Sequence, residues 1–403
     1  MTHIAVIGAG QAGAALAARL RALGHEGPIT LIGAEPFPPY QRPPLSKAYL
    51  LGEMTRDRLF LRPRSFYDEH KITLRLGQPV TAIDPAAKIL RIGCEAIAWD
   101  QLALTTGAAP VRLPESMTGR LSGIHYVRTL SDIDTLAPEF EAGRRVLIVG
   151  GGYIGLEAAA VAASKGLKVT LIEAAERILS RVAAPETANY FRDLHARHGV
   201  HILEGRSLSA LSGRNKVEQA VLEGGETLPV DFVIVGIGVR PETGLAKMAG
   251  IVLENGIRTD ALGRTSAPNI WAAGDCASFP WGDGRIRLES VPNALDHGEA
   301  VAANMLGAGE IYEARPWFWS DQYDVKLQIA GLSTGYERVI VRPGAREDVQ
   351  SVWYWRGDRL IAVDAMNDPR AYMVAKRLIE AGRSPAPDLI AEPETDLRAL
   401  LKP

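Results

Sequence analysis

Two stretches of the chain repeat one pattern of apolar, small and polar positions. HIAVIGAGQAGAALAARLRALG over 3–24 and RVLIVGGGYIGLEAAAVAASKG over 145–166 each run from a short β-branched segment, through a glycine-rich turn, into an alanine-rich segment closed by glycine. The unbroken apolar run predicts a buried strand and the alanine-rich run predicts a helix ended by its glycine. A second apolar run ending near an acid follows each time, ITLIGAE at Glu35 and KVTLIE at Glu173. This is a complete βαβ unit, written twice at a spacing of about 140 residues.

The segment from 72 to 107 is strand-rich (ITLRLG, AKILRIG, DQLALTTG), and HGVHILEG with QAVLEGGETLPVDFVIVGIG repeats that texture after the second unit. Each βαβ unit is therefore expected to be followed by a meander and a final buried strand. PNIWAAGDCA and a helical SVPNALDHGEAVAANMLG come next. From Trp317 the pattern changes to aromatic, alternating strands (VKLQIAGL, RVIVRPG, SVWYWRG, RLIAVDAMN) with a closing helix AYMVAKRLIEAG, which predicts a smaller α+β domain.

With 403 residues, 47% hydrophobic and 23% charged, the chain is long enough for several ordinary cores and has no composition of disorder. A formal net charge of -2 gives no bulk attraction to nucleic acid or a membrane surface, so any charge-steered partner must meet a local patch. The two cysteines, Cys94 and Cys276, form no CxxC or CxxxxC motif, which argues against a metal or iron-sulfur site and against a redox disulfide within one motif. They read as small hydrophobes. With no basic leader before IAVIG and no apolar run long enough to span a bilayer, a cytoplasmic location is expected.

One GxGxxG is weak, because glycine-rich turns also close ordinary helices. Here Gly8, Gly10 and Gly13, and again Gly150, Gly152 and Gly155, each follow a strand and open a helix. Such a turn lets the backbone approach a pyrophosphate and aims helix N–H groups at it, so two motifs imply two dinucleotides. Glu35 and Glu173 lie about 20 residues beyond, where a carboxylate accepts from both hydroxyls of an adenosine ribose. A 2'-phosphate would meet Glu173 as a like charge, which favours NADH over NADPH. A solvated strand-end acid is the plain alternative, and Arg177 and Arg181 keep a phosphate contact open.

GAGQAG, RPPLSKAYL, LALTTG, GGGYIGLE, GIGVRP, AAGDCA, ESVPNAL and PWFWSDQ, in this order, resemble the FAD- and NADH-dependent ferredoxin reductases of oxygenase electron-transfer chains, the putidaredoxin reductase type. The resemblance runs over nearly the whole chain. It implies a glutathione reductase-like α/β fold: two Rossmann-like domains, for FAD and NAD, plus a C-terminal α+β domain. The FAD domain would comprise 1–112 and 241–316, the NAD domain 113–240 and the C-terminal domain 317–403. FAD contacts are implied at Gly10, Gln11, Ala12, Ala34 or Glu35, Lys47, Val80, Thr106, Gly107, Arg128, Gly274, Asp275 and Val291, with Arg42 a weaker candidate. Tyr153, Ile154, Arg181 and Gly238 join the second glycine motif and Glu173 as cofactor positions.

In the disulfide-bearing enzymes of this fold the stretch Tyr40–Leu50 holds reactive cysteines; here it has none, and it offers Lys47. Glu157 stands about half a turn beyond Gly155, near the expected nicotinamide. The resemblance places Lys47 beside it at the flavin, where an ammonium steadies charge arriving with hydride while the glutamate holds the lysine. Trp319 is implied at the flavin edge, although Trp317 and Trp319 are also ordinary core residues; Trp353 and Trp355 read as packing, and His297 as structural. The expected function is transfer of electrons from NADH through FAD to a two-iron two-sulfur ferredoxin serving a cytochrome P450-type or other oxygenase. A rubredoxin reductase, or a signalling flavoprotein like the apoptosis-inducing factors, is the alternative. Ferredoxin docking is expected on a basic patch drawn from Arg285, Arg287, Arg315 and Lys326, and the chain is expected to be a monomer or weak homodimer.

Overall fold

Strand Ile4–Ile7 has every side chain buried, which a β-branched run sustains only in a sheet covered on both faces. In the computed structural model, which describes residues 1–402, that strand is the centre of a five-stranded parallel sheet. Its order is Ile270–Ala272, Gln101–Leu104, Ile4–Ile7, Ile29–Ile32, Ile72–Arg75. Helices Gln11–Ala22 and Val291–Met305 cover it, packing so closely that a Cβ on Gly298 would stand 2.6 Å from the Ala12 carbonyl oxygen. Leu16, Leu20, Val301 and Met305 fill the core beneath them. A three-stranded antiparallel meander follows over Ala82–Asp84, Ile89–Ile92 and Glu95–Ala98. These elements belong to one compact unit, Met1–Gln41 with Thr55–Ala109 and Val239–Pro316.

The second unit comprises Arg42–Met54, Pro110–Gly238 and the chain from Trp317 onward. Its parallel sheet has the order His201–Glu204, Lys168–Glu173, Arg145–Val149, Phe232–Val235, Ile124–Tyr126, with the meander Leu208–Ser212, Gln219–Leu222, Thr227–Pro229 beside it. The aromatic tail forms a five-stranded antiparallel sheet, ordered Trp317–Gln322, Val325–Gly331, Arg359–Met366, Gln350–Arg356, Arg338–Pro343. On strand Gln350–Arg356, Trp353 and Trp355 are fully buried with Val363, Val374 and Leu378. Their neighbour Tyr354 serves the opposite face, where its hydroxyl accepts from Ala184 N and bonds Asp364. Asp364 also accepts from Thr187 at 2.7 Å, so the helix Pro185–Arg197 is pinned to the tail sheet. Mixed α/β architecture with two Rossmann-like sheets and a C-terminal antiparallel domain is the result.

Candidate functional site

In the first unit, the helix Gln11–Ala22 starts at Gly10 with no side-chain cap and no acid in its first turn, leaving its leading N–H groups to another anion. Gly8 (φ +114°) makes the turn: a Cβ there would stand 2.1 Å from the Thr105 carbonyl oxygen. Gly13 is needed for packing, since its Cβ would be 1.9 Å from the Gly8 carbonyl oxygen. Gly10 alone faces nothing within 4 Å, so the opening lies on the side where a pyrophosphate would approach. Beside it the Gln11 Oε1 is buried without a partner. Glu35 accepts from the Tyr40 hydroxyl at 2.6 Å, while Ala34 is exposed at the end of the second strand.

The second unit builds the same cradle. Gly150 (φ +107°) would strike the Gly236 carbonyl and Gly155 the Gly150 carbonyl, at 2.4 and 2.0 Å, whereas Gly152 again faces open space. Helix Tyr153–Ser164 is likewise uncapped by side chains and acid-free in its first turn. Both cradles fit a dinucleotide phosphate. Glu173 accepts from Gly151 N at 2.7 Å and Ala175 N at 2.8 Å, which holds its carboxylate at the strand end next to the glycine turn. Arg177 is turned onto the carbonyls of Ile178 and Ala183, at 3.3 and 2.7 Å, and is therefore spent. Arg181 is exposed, with its guanidinium 3.6 Å from the Cβ position of Gly238. Tyr153 packs 5.0 Å from the Phe318 ring, and burial pushes its phenol well above the ordinary range; Ile154 stays exposed.

The chemistry of this unit centres on Glu157, one turn along the same helix and only 5% exposed. A buried carboxylate is tolerable only when paired and hydrogen-bonded. Lys47 Nζ reaches Oε1 at 2.9 Å, the Ser320 hydroxyl donates to Oε1 at 2.8 Å, and the Ser46 hydroxyl donates to Oε2 at 2.8 Å. Three segments distant in sequence thus converge. The 3-10 turn Pro43–Ser46, begun by two prolines that pre-set its φ angles, delivers Ser46 and Lys47. Strand Trp317–Gln322 delivers Ser320. Lys47 remains 18% exposed at its side chain, so its ammonium has an open side.

The structure brings Lys47 and Glu157 together. Arg42 donates to the Arg128 carbonyl, and Trp319 is half-buried beside Trp317, ring centroids 5.5 Å apart. In the first unit Thr106 donates to the Glu242 carbonyl at 2.6 Å, and Gly107 turns at φ +71°. Val80 packs against the core, Val291 opens the helix Val291–Met305, and Gly274 (φ +78°) sits 2.9 Å from the Ala12 side chain at its Cβ position, beside half-buried Asp275. His297 accepts from Gly274 N at 3.3 Å and stacks on Tyr312, and burial holds it down to about 3. Of the expected docking cations, Arg285 and Arg287 are turned inward, onto the carbonyls of Thr259 and Asp275 at 2.6 and 3.2 Å; Arg315 and Lys326 are exposed. Cys276 is buried, its thiol raised by desolvation, and Cys94 is exposed; both are free. Ser320, which grips Glu157, was not among the residues that the sequence marked out. Gly151, whose N–H holds Glu173, was also passed over, although it lies inside a glycine run.

Residues 2–298 match the pyridine nucleotide-disulphide oxidoreductase family and residues 317–401 the reductase C-terminal family. The chain is 40% identical to a rhodocoxin reductase of Rhodococcus erythropolis, covering 98% of this chain and 93% of that one. It is 41% identical to a ferredoxin–NAD(P)+ reductase of a Sphingomonas species, over 100% and 99% of the two chains. The reductase in a crystal structure of a covalent putidaredoxin reductase–putidaredoxin complex superposes with a TM-score of 0.95 at 39% identity, covering 99% of this chain and 98% of that one. No helix among the described residues is long and apolar enough to cross a membrane.

Proposed function

The chain belongs to the pyridine nucleotide-disulphide oxidoreductase family and is an oxidoreductase of FAD and NAD(P)H; from that premise we propose that it is an NADH-dependent ferredoxin reductase. Its acceptor is a two-iron two-sulfur ferredoxin that serves a cytochrome P450-type or other oxygenase. The observation that carries this reading is the Arg42–Met54 segment, which brings to the second unit a lysine held by a buried glutamate and brings no thiol. FAD, when bound, takes two electrons as hydride and releases them singly, which suits a one-electron carrier.

The chain's own residues divide the work. Gly10 and the first-turn N–H groups of Gln11–Ala22 hold the FAD pyrophosphate, and Gly152 with Tyr153–Ser164 holds that of NADH. Glu173 accepts from the NADH ribose and repels a 2'-phosphate, which gives NADH preference over NADPH. Asp275 and the backbone at Val291 are the first unit's candidates to hold the flavin when it binds, and Trp319 is a candidate contributed by the second unit. Lys47 offers its ammonium where electron density grows during hydride transfer, and Glu157 with Ser46 and Ser320 keeps it aimed. Arg315 on the first unit and Lys326 on the second are each exposed and each a candidate contact for an acidic ferredoxin.

An acceptor screen with cytochrome c reduction as readout tests the reading. Added two-iron two-sulfur ferredoxin is expected to raise the NADH-driven rate, and the gain is expected to fall steeply with added salt. A larger gain with rubredoxin replaces the acceptor. A long-lived charge-transfer complex after NADH mixing, with no transfer to either carrier, overturns the reductase reading.

A further inference from the structure

Glu157 is the end of a buried chain of polar groups that the hydride reading does not require. Ser320, itself fully buried, accepts from Gln322 Nε2 at 3.2 Å. Gln322 Oε1 lies 2.8 Å from His195 Nε2, and His195 Nδ1 lies 3.2 Å from the Tyr323 hydroxyl. Gln322 and His195 are 1% and 0% exposed. Tyr323, held at φ +55° in the turn after strand Trp317–Gln322, stacks on exposed His198 with ring centroids 3.6 Å apart. The chain therefore leads from a solvent-facing cleft to the carboxylate that binds Lys47.

Each proton along it is assigned by valence. A carboxylate only accepts, so Ser320 donates to Glu157. Its single proton is then used, so Ser320 accepts from the Gln322 amide. The Gln322 carbonyl oxygen therefore faces His195, and an amide oxygen only accepts, so Nε2 carries the imidazole proton. Neutral imidazole leaves Nδ1 as acceptor and Tyr323 as donor. Burial favours this neutral form, holding His195 down to about 4. All four bonds point the same way, toward Glu157, and bonds in such a row polarise one another.

We propose that Gln322 and His195 are positioning residues for the Lys47–Glu157 pair: through Ser320 they hold a polarised hydroxyl on the Glu157 oxygen that also binds Lys47. The proposal rests on the hydride role of Lys47 given above. Charge drawn from Oε1 by Ser320 is charge that no longer neutralises the ammonium, so the chain keeps the field of Lys47 available to the arriving electrons. Gln322→Met keeps the volume and cuts the chain, while Gln322→Glu reverses it, because a carboxylate at this place takes the Ser320 proton away from Glu157.

In stopped flow at saturating NADH, flavin reduction is expected to slow about threefold to tenfold in Gln322→Met and further in Gln322→Glu, with the NADH Kd within about twofold and a lower flavin midpoint potential. In a Lys47→Met background, Gln322→Met is expected to add nothing. A full additional slowing there overturns the proposal. So does a wild-type rate in Gln322→Met when Lys47→Met alone is slow, and that result leaves the hydride reading standing. A wild-type rate in Lys47→Met removes both. A readout needing no variant is the 15N spectrum of His195 in the holoenzyme, expected to show a fixed Nε2–H tautomer; an Nδ1–H tautomer reverses the chain and overturns the proposal.

Discussion

Ser46 and Glu157, 111 residues apart in the chain, meet at 2.8 Å between hydroxyl and carboxylate. The contact fixes the backbone immediately before Lys47, so a side chain that carries about 2 kcal/mol of rotamer entropy is launched from a set position. Glu157 is then saturated by two hydroxyls and one ammonium, with the hydroxyls on different oxygens. A positive field held this way costs no reorganisation at the moment charge arrives.

Replacing the lysine tests that arrangement. Lys47→Met keeps most of the stem and removes the charge. We expect flavin reduction by NADH to slow by about tenfold or more in stopped flow while FAD remains bound. An unchanged rate removes Lys47 from the hydride step.

The glycines of the second cradle separate binding from folding. Gly152 faces nothing within 4 Å, whereas a Cβ on Gly155 would stand 2.0 Å from the Gly150 carbonyl oxygen. Gly152→Val is therefore expected to leave the melting temperature within a few degrees and weaken NADH binding by about tenfold or more, by occupying the phosphate's approach. Gly155→Ala is expected to lower stability by about 2 kcal/mol or more through overpacking. Thermal unfolding and NADH titration of both variants check the pair; equal NADH affinity in Gly152→Val and wild type places the phosphate elsewhere.

Both cradles were legible in the sequence because their signal is local: strand, glycine turn and helix are consecutive. Glu157 was legible from its place on the helix just beyond Gly155, and Lys47 and its pairing with Glu157 through a resemblance. Ser320 was not, since its role exists only once strand Trp317–Gln322 is laid against the helix Tyr153–Ser164, and nothing in SDQ announces that contact. His195 was lost for a similar reason, as the lone histidine of an amphipathic helix whose inner face is chosen by the tail sheet. The inward turn of Arg285 and Arg287 was hidden too, because a sequence does not mark which carbonyls lack a partner.

Glu173 is both a reader and a brace. Its carboxylate holds Gly151 N and Ala175 N, so Glu173→Ala is expected to cost about 1–2 kcal/mol of stability in addition to altering specificity. The NADH to NADPH ratio of kcat/KM is expected to narrow, since the like-charge clash with a 2'-phosphate is gone. Arg177 is spent on backbone carbonyls, which leaves Arg181 as the cation free to gain from the change. Kinetics with both nucleotides check this; equal wild-type rates with NADH and NADPH refute the role of Glu173.

Stability against pH carries two opposed slopes from buried groups. Burial holds His195 at about 4 and His297 at about 3, so the unfolded chain binds more protons below its own imidazole value of about 6.5. Their contribution is complete above that value and is lost as pH falls through the folded values. Asp364 has the reverse sign: burial, opposed by hydrogen bonds from Tyr354 and Thr187, raises it to about 6. The folded state then binds the extra proton from about pH 4 to about pH 6, and the contribution of Asp364 is lost as pH rises through that window. Asp364 Oδ1 has no hydrogen-bond partner, so Asp364→Asn places its amide nitrogen there and keeps an acceptor oxygen for Tyr354 and Thr187. We expect Asp364→Asn to match wild type near pH 4 and to exceed it at pH 8 by up to about 3 kcal/mol, the equivalent of its raised titration. Thermal unfolding of both proteins from pH 4 to 8, at saturating FAD, decides the matter: a deficit in the variant that is the same at every pH means that the native carboxylate is welcome in its ionised form.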